Sequence, residues 1–215
     1  MDKIRIRYLK TGRAAYLSHL DLMSTMQRSF LRAGVKLKYS EGFNPHPYIS
    51  VALPLSVGAE SMCELMDVEI YGGFPNNANN YLPDGLEITG LFKPLRKFNA
   101  IKWIDVKCRL YYNDILTDET IDVLNTLFSS ETLIISKRTK SGYSDIDIAE
   151  HIRDAHITLC DDNSVEISMH ISAQQPTVSH KDIMEIAGYD KKLVKPYQIN
   201  VKRIELFDKD MVLFR

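Results

Sequence analysis

Two histidines, His19 and His46, set among arginines and lysines, are the side chains here with the most chemistry to offer. A histidine beside a cationic groove is what an endoribonuclease needs to move a 2′-OH proton. His46 lies in Lys38-Tyr39-Ser40-Glu41-Gly42-Phe43-Asn44-Pro45-His46-Pro47-Tyr48, a run with two prolines, a glycine and three aromatics. Each proline fixes its own φ and pushes the preceding residue toward extended geometry. Gly42 permits a turn that a β-carbon would oppose. Such a run presents side chains from a stiff loop. Tyr39 and Tyr48 offer rings to unpaired bases, Asn44 and His46 offer hydrogen bonds, and Phe43 reads as a plug holding the loop to the body. His19 and Asp21 stand two apart on a predicted helix and share no face, so they are not an acid–base or metal-binding unit. His46, between two prolines, reads first as a fixed hydrogen-bonding group.

Charge points the same way. Residues 1–48 hold nine Lys/Arg against three acids, a balance of +6, while the whole chain is at −1, which leaves −7 for the remainder. Five of the nine cations are arginines, the side chain suited to bidentate phosphate contact. Arg5, Arg7, Arg13, Arg28, Arg32 and Lys38, with Tyr39, Asn44, His46 and Tyr48, form the expected nucleic-acid surface; Lys10 and Lys36 add to the basic character. Arg28 and Arg32 fall one helical turn apart and point one way. Later, Lys137-Arg138-Thr139-Lys140-Ser141-Gly142 ends a strand with cations, but lacks the glycine spacing of a phosphate-binding P-loop.

Other classes drop out on composition. With 45% hydrophobic and 26% charged residues the 215-residue chain reads as an ordinary globular protein. No apolar run approaches the roughly 20 residues that cross a bilayer, and Met1-Asp2-Lys3-Ile4-Arg5 starts a strand pattern rather than a signal core, so a cytoplasmic, membrane-free protein is expected. Cys63, Cys108 and Cys160 are far apart and form no Cys-x-x-Cys pair. They predict no disulfide framework, metal site or cofactor, and each reads as a small buried residue in a strand.

The elements that must position these residues come in a repeating order. Ile4–Leu9 alternates as a half-buried strand with its arginines on the open face. Ser18 reads as an N-cap, and Leu20, Met23, Met26, Phe30 and Ala33 recur at helical spacing up to Gly34. Strands are predicted at 35–39, 49–53, 62–70 and 86–92, with a short helix or irregular turn at 76–80. After a basic, proline-marked linker at 93–99, strands are predicted at 103–112, 132–139, 155–160, 164–171 and 198–207, with helices at 117–128 and 180–187. The first half fits β-α-β-β-α-β, and the second fits it with an insertion. The expected fold is therefore α+β: tandem ferredoxin-like units with antiparallel sheets, over residues 1–92 and 101–215.

Tyr16-Leu17-Ser18-His19-Leu20-Asp21-Leu22, Leu31-Arg32-Ala33-Gly34, Tyr39-Ser40-Glu41-Gly42-Phe43-Asn44-Pro45-His46-Pro47 and Ala52-Leu53-Pro54-Leu55-Ser56-Val57-Gly58 resemble the signature of the bacterial radical-SAM-linked family. Members of that family occur alone or fused behind B12-binding radical-SAM proteins. The match is close over about 60 residues and looser beyond, through Lys137–Lys140, Asp145-Ile146-Asp147 and Arg203. A weaker, fold-level similarity is to CRISPR repeat-processing ribonucleases. The chain has no Cys-x-x-x-Cys-x-x-Cys and no cobalamin-binding Asp-x-His-x-x-Gly motif, so the resemblance implies the partner of a radical-SAM enzyme rather than the catalyst. Three functions stay open: a non-catalytic RNA-recognition or substrate-presenting partner, an endoribonuclease using His19 or His46, and an adaptor docking a radical-SAM protein.

Overall fold

The alternating Ile-Arg-Ile-Arg-Tyr run forms β1 (Asp2–Lys10) in the computed structural model, which describes residues 2–139, 142–161, 163–174, 176–188 and 195–215. A 3-10 turn, Gly12–Tyr16, leads into α1 (His19–Arg32). Ser18 caps this helix as expected: its Oγ accepts from the Asp21 amide at 3.2 Å and donates to Asp21 Oδ2 at 2.7 Å. Then follow β2 (Lys36–Leu37), β3 (Ile49–Val51), β4 (Glu60–Tyr71) and β5 (Leu86–Phe92). With Leu213–Arg215 these elements make up the first of two compact units, Met1–Ala100; the second is Ile101–Val212.

In unit 1 the strand order is β5-β1-β4, all antiparallel, and both β2 and β3 pair with the outer side of β4. Leu22, Met26 and Phe30 of α1 meet Ile6, Tyr8, Met66, Val68 and Ile70 of the sheet in one buried cluster. Each fully buried side chain of this kind contributes roughly 1.5–3 kcal/mol. Phe74 closes the cluster, with its ring edge-on to Phe30 at 5.5 Å. The short helix or irregular turn expected at 76–80 is a single 3-10 turn, Ala78–Tyr81. Asparagine competes for backbone hydrogen bonds and disfavours helix interiors. Asn79 does so here: its side-chain amide accepts from Ile88 N at 2.8 Å and donates to Ile88 O at 3.0 Å, occupying the outer edge of β5.

Unit 2 runs β6 (Trp103–Tyr111), α2 (Asp118–Phe128), β7 (Ile134–Thr139), β8 (Gly142–Asp147), β9 (Ile152–Asp161), β10 (Ser164–Ser172), α3 (His180–Ala187) and β11 (Gln198–Phe207). Its sheet order is β11-β6-β10-β9, again antiparallel, and β7 and β8 form a separate hairpin. Alternate residues Ile104, Val106, Cys108 and Leu110 of β6 are buried, as are Leu124 of α2 and Ile183 and Ile186 of α3. β8 was not expected. Its sequence, Gly-Tyr-Ser-Asp-Ile-Asp, is almost wholly exposed and shows no apolar alternation, and it is a strand because it pairs with β7. The fold class is thus mixed α+β with antiparallel sheets and, among the described residues, three α-helices. No described helix is long and apolar enough to cross a membrane.

Candidate nucleic-acid interface

The nine cations of residues 1–48 divide into those that hold the fold and those that face water. Arg5 belongs to the first set, and the expectation that it lies on an open face is corrected. It is buried, because Asp67 stands opposite it in the β1–β4 register and binds its guanidinium by two bonds, Nε to Oδ1 at 2.7 Å and Nη2 to Oδ2 at 3.0 Å. Its remaining protons go to Arg96 O at 2.8 Å and Arg215 O at 3.1 Å, and the Phe98 ring covers it at 4.4 Å. Residues 96–98, read as linker, are thus part of the packing of unit 1. Arg7 is half-buried and donates to Met62 O at 3.3 Å. Lys10 is buried, with its ammonium on Ala15 O at 3.0 Å and Leu17 O at 2.9 Å, where it caps the 3-10 turn that feeds α1. Lys38 pairs with Glu69 at 2.8 Å and sits 4.5 Å from the Tyr48 ring centre; the Glu69 hydrogen bond raises its pKa. Lys3 reaches Asp67 at 3.6 Å.

Arg13, Arg28, Arg32 and Lys36 remain exposed. At about 3.6 residues per turn, Asp21, Thr25, Arg28 and Arg32 stack along one flank of α1. That flank faces the Ala78–Tyr81 turn, and between them lies a cleft of about 470 Å³ lined by Thr25, Arg28 and Arg32 on one side and Asn80, Tyr81 and Pro83 on the other. Neither guanidinium has a hydrogen-bonding or ion-pair partner among the described residues. Two unneutralised arginines in one cleft are suited to an anion with several acceptor oxygens. Asn80 and Tyr81 are not among the expected site residues; the sequence places Asn80 only in the short helix or irregular turn at 76–80.

The proline loop leaves the sheet edge between β2 and β3. Its neck is tied by Tyr48 N to Lys38 O at 2.9 Å, Ser40 N to His46 O at 2.8 Å and His46 N to Ser40 Oγ at 2.9 Å. Gly42, at φ +117°, makes the tip turn, and Phe43 projects fully into solvent. The expectation that Phe43 plugs the loop against the body is therefore corrected: a loop closed by its own main chain leaves no apolar seat beneath it. Tyr39, Asn44, His46 and Tyr48 are exposed as expected. Gln27 Nε2 donates to Tyr39 Oη at 3.4 Å, which places the loop beside the Gln27 flank of α1. The arginine cleft occupies the other flank. The expected single groove is two surfaces, separated by the solvent face of the helix. The rings of His19 and His46 are exposed and bond to no carboxylate among the described residues.

A family model described as an uncharacterized protein conserved in bacteria, DUF2344, matches residues 3–186. The chain belongs to the DUF2344 family. The match takes in the cleft, the proline loop and every described element through most of α3. No curated protein matches this DUF2344 chain. A solved structure of an unknown protein from Galdieria sulphuraria aligns over 94% of this chain and 98% of its own, at 6% identity and a TM-score of 0.25.

In unit 2 of the DUF2344 chain, Lys107, Arg109 and Lys137 are each paired with a carboxylate. Lys137 pairs with Asp182 at 2.8 Å and donates to Thr177 O, while Lys140 and Ser141 of the basic turn lie outside the described residues. Lys107–Glu166 and Arg109–Asp161 pair at 3.1 and 2.5 Å. Burial pushes the Cys108 thiol and the Tyr112 phenol each up to about 12, so neither ionises near neutrality. Cys160, expected to be buried, is exposed, because it lies on β9 at the edge of the sheet. Among the described residues, no group of three or more His, Cys, Asp or Glu is arranged to hold a metal ion.

Proposed function

We propose that this chain is a non-catalytic RNA-recognition partner of a radical-SAM enzyme, binding RNA through unit 1. The observation that carries the RNA reading is the Arg28–Arg32 cleft. These two guanidiniums are exposed, unpaired among the described residues and set one turn apart beside Asn80 and Tyr81. The exposed Tyr39, Phe43 and Tyr48 rings of the loop supply a separate stacking surface. The radical-SAM half of the proposal rests on the resemblance of the N-terminal motifs. The strand orders β5-β1-β4 with β2 and β3 outermost, and β11-β6-β10-β9, support reading each unit as a split βαβ sandwich.

Fluorescence anisotropy with a single-stranded RNA tests the RNA reading. Affinity should fall with salt at a log–log slope of about −0.7 per contacted phosphate. The double variant Arg28→Ala/Arg32→Ala should flatten that slope, whereas Tyr48→Ala should lower affinity and leave the slope nearly unchanged. A double variant with parental affinity and slope would remove this surface from consideration.

A docking role for the same unit is favoured by a different observation. Tyr16 and Leu20 are 72% and 78% exposed, and Val57 lies close by, since Gly58 N donates to Ala15 O at 2.9 Å. Co-elution of the chain with a purified B12-binding radical-SAM protein, lost on Tyr16→Ser/Leu20→Ser, is the expected outcome for an adaptor. The ribonuclease reading has no such support, as neither histidine ring bonds to a carboxylate among the described residues.

A further inference from the structure

We infer that the Arg28–Arg32 cleft receives the phosphomonoester at an RNA end, with the Tyr81 ring stacked on the terminal base. The inference rests on the RNA reading above and narrows it. An internal phosphodiester carries a single negative charge, whereas a terminal phosphomonoester carries about −1.5 to −2 near pH 7 and offers three acceptor oxygens. Two unneutralised guanidiniums within one helical turn match the second ligand in charge and in donor number.

The surroundings of the pair also suit an end rather than a through-running strand. A groove that tracks a backbone repeats its cations along the path. Here the flank that continues from Arg28 toward the start of α1 carries Thr25 and then Asp21, a carboxylate held in place by Ser18 at 2.7 Å. A phosphate chain extended that way would meet a negative charge. The opposite wall is Asn80, Tyr81, Leu82 and Pro83, so the arginines stand at a cleft walled by two elements. About 470 Å³ is room for a single nucleotide, toward the small end of the roughly 300–1,000 Å³ of ordinary ligand clefts. Tyr81, 39% exposed, leaves ring surface for one base, and the Asn80 amide can serve that base's edge.

The test uses the full chain and one short single-stranded RNA, labelled internally, in three forms: 5′-phosphorylated, 3′-phosphorylated, and hydroxyl at both ends. One phosphorylated form should bind about ten-fold tighter, or more, than the hydroxyl form, a difference of about 1.4 kcal/mol. Arg28→Gln/Arg32→Gln should abolish that preference; both positions are exposed, and an unchanged thermal melt will show that the variant folds. Tyr81→Ala should weaken the phosphorylated RNA and keep the preference. If all three forms bind alike while the arginine variant weakens each of them, end recognition is overturned and the RNA reading stands. If no form binds, both are overturned. If a phosphoserine peptide binds in an Arg28-dependent way and no RNA does, the ligand class is wrong.

Discussion

Arg5 and Asp67 are register partners on β1 and β4, and their side chains close a two-bond fork in the interior of unit 1. A buried ion pair is a modest source of stability when complete, because desolvation offsets most of its attraction, but breaking it strands a charge. Arg5→Ala should therefore cost about 3–5 kcal/mol in urea denaturation, while Arg28→Ala should stay within about 0.5 kcal/mol of the parent. The double variant Arg5→Met/Asp67→Leu should recover part of the loss. Equal stabilities for Arg5→Ala and Arg28→Ala would show that the fork is not structural.

Gly85 and Gly42 both have positive φ, at +87° and +117°, yet differ in surroundings. A β-carbon at Gly85 would stand 2.2 Å from Thr11 O, in the turn where Thr11 N donates to Gly85 O; one at Gly42 would meet open space. Gly85→Ala should cost on the order of 2–4 kcal/mol, combining backbone strain with overpacking. Gly42→Ala should cost only the backbone strain, roughly 1 kcal/mol. Paired melts of the two variants check the order.

Thiol reactivity separates the cysteines. Cys160 is exposed, whereas Cys63 and Cys108 are buried and burial holds the Cys108 thiol at about 12. A disulfide reagent should find one fast thiol in the native protein and three in denaturant. Cys160→Ser should remove the fast phase; a fast phase that persists in that variant would contradict the burial of the other two.

His180, at the start of α3, is held below its ordinary value of 6.5, first by burial and then by Lys181. In the window just below 6.5 the unfolded chain binds the proton and the folded chain does not, so stability falls as pH drops through it. His180→Gln should flatten the dependence of melting temperature on pH in the window just below 6.5, relative to the parent. Parallel curves for the two proteins would remove His180 from the titration.

Phe43→Ala should leave the melting temperature within a degree or two, since the ring has no packing to lose. The same change should weaken whatever the loop binds, a separation that binding and melting experiments on one sample can read together.

What could be read in the sequence followed from local rules. Ser18 with Asp21 marks the start of α1, the alternation of residues 103–111 marks a strand, and Thr117 marks the start of α2; each signal sits within a few residues of its effect. Most of the failures turn on distant partners. Arg5 alternates with apolar residues like any surface cation until Asp67, 62 positions on, comes opposite it. β8 has no pattern of its own and exists by pairing. Asn80 and Tyr81 line the cleft only because the turn that carries them packs beside α1. Phe43 has the composition of a core residue, but main-chain bonds across the loop neck, not its ring, fix the loop.

The last three residues complete the packing around Arg5. Phe214 is fully buried with its ring 5.2 Å from the Arg5 guanidinium, and Arg96 reaches Leu213 O at 2.8 Å. Unit 1 is therefore written in two instalments, with all of unit 2 between them. On the ribosome, β1, β4 and β5 emerge before unit 2, but the Arg5–Asp67 fork has only part of its cover, the Phe98 ring, until Phe214 has been made. Unit 1 thus begins before unit 2 and is completed after it, and a nascent chain paused short of Leu213 holds a charged pair with part of its cover still to be synthesised.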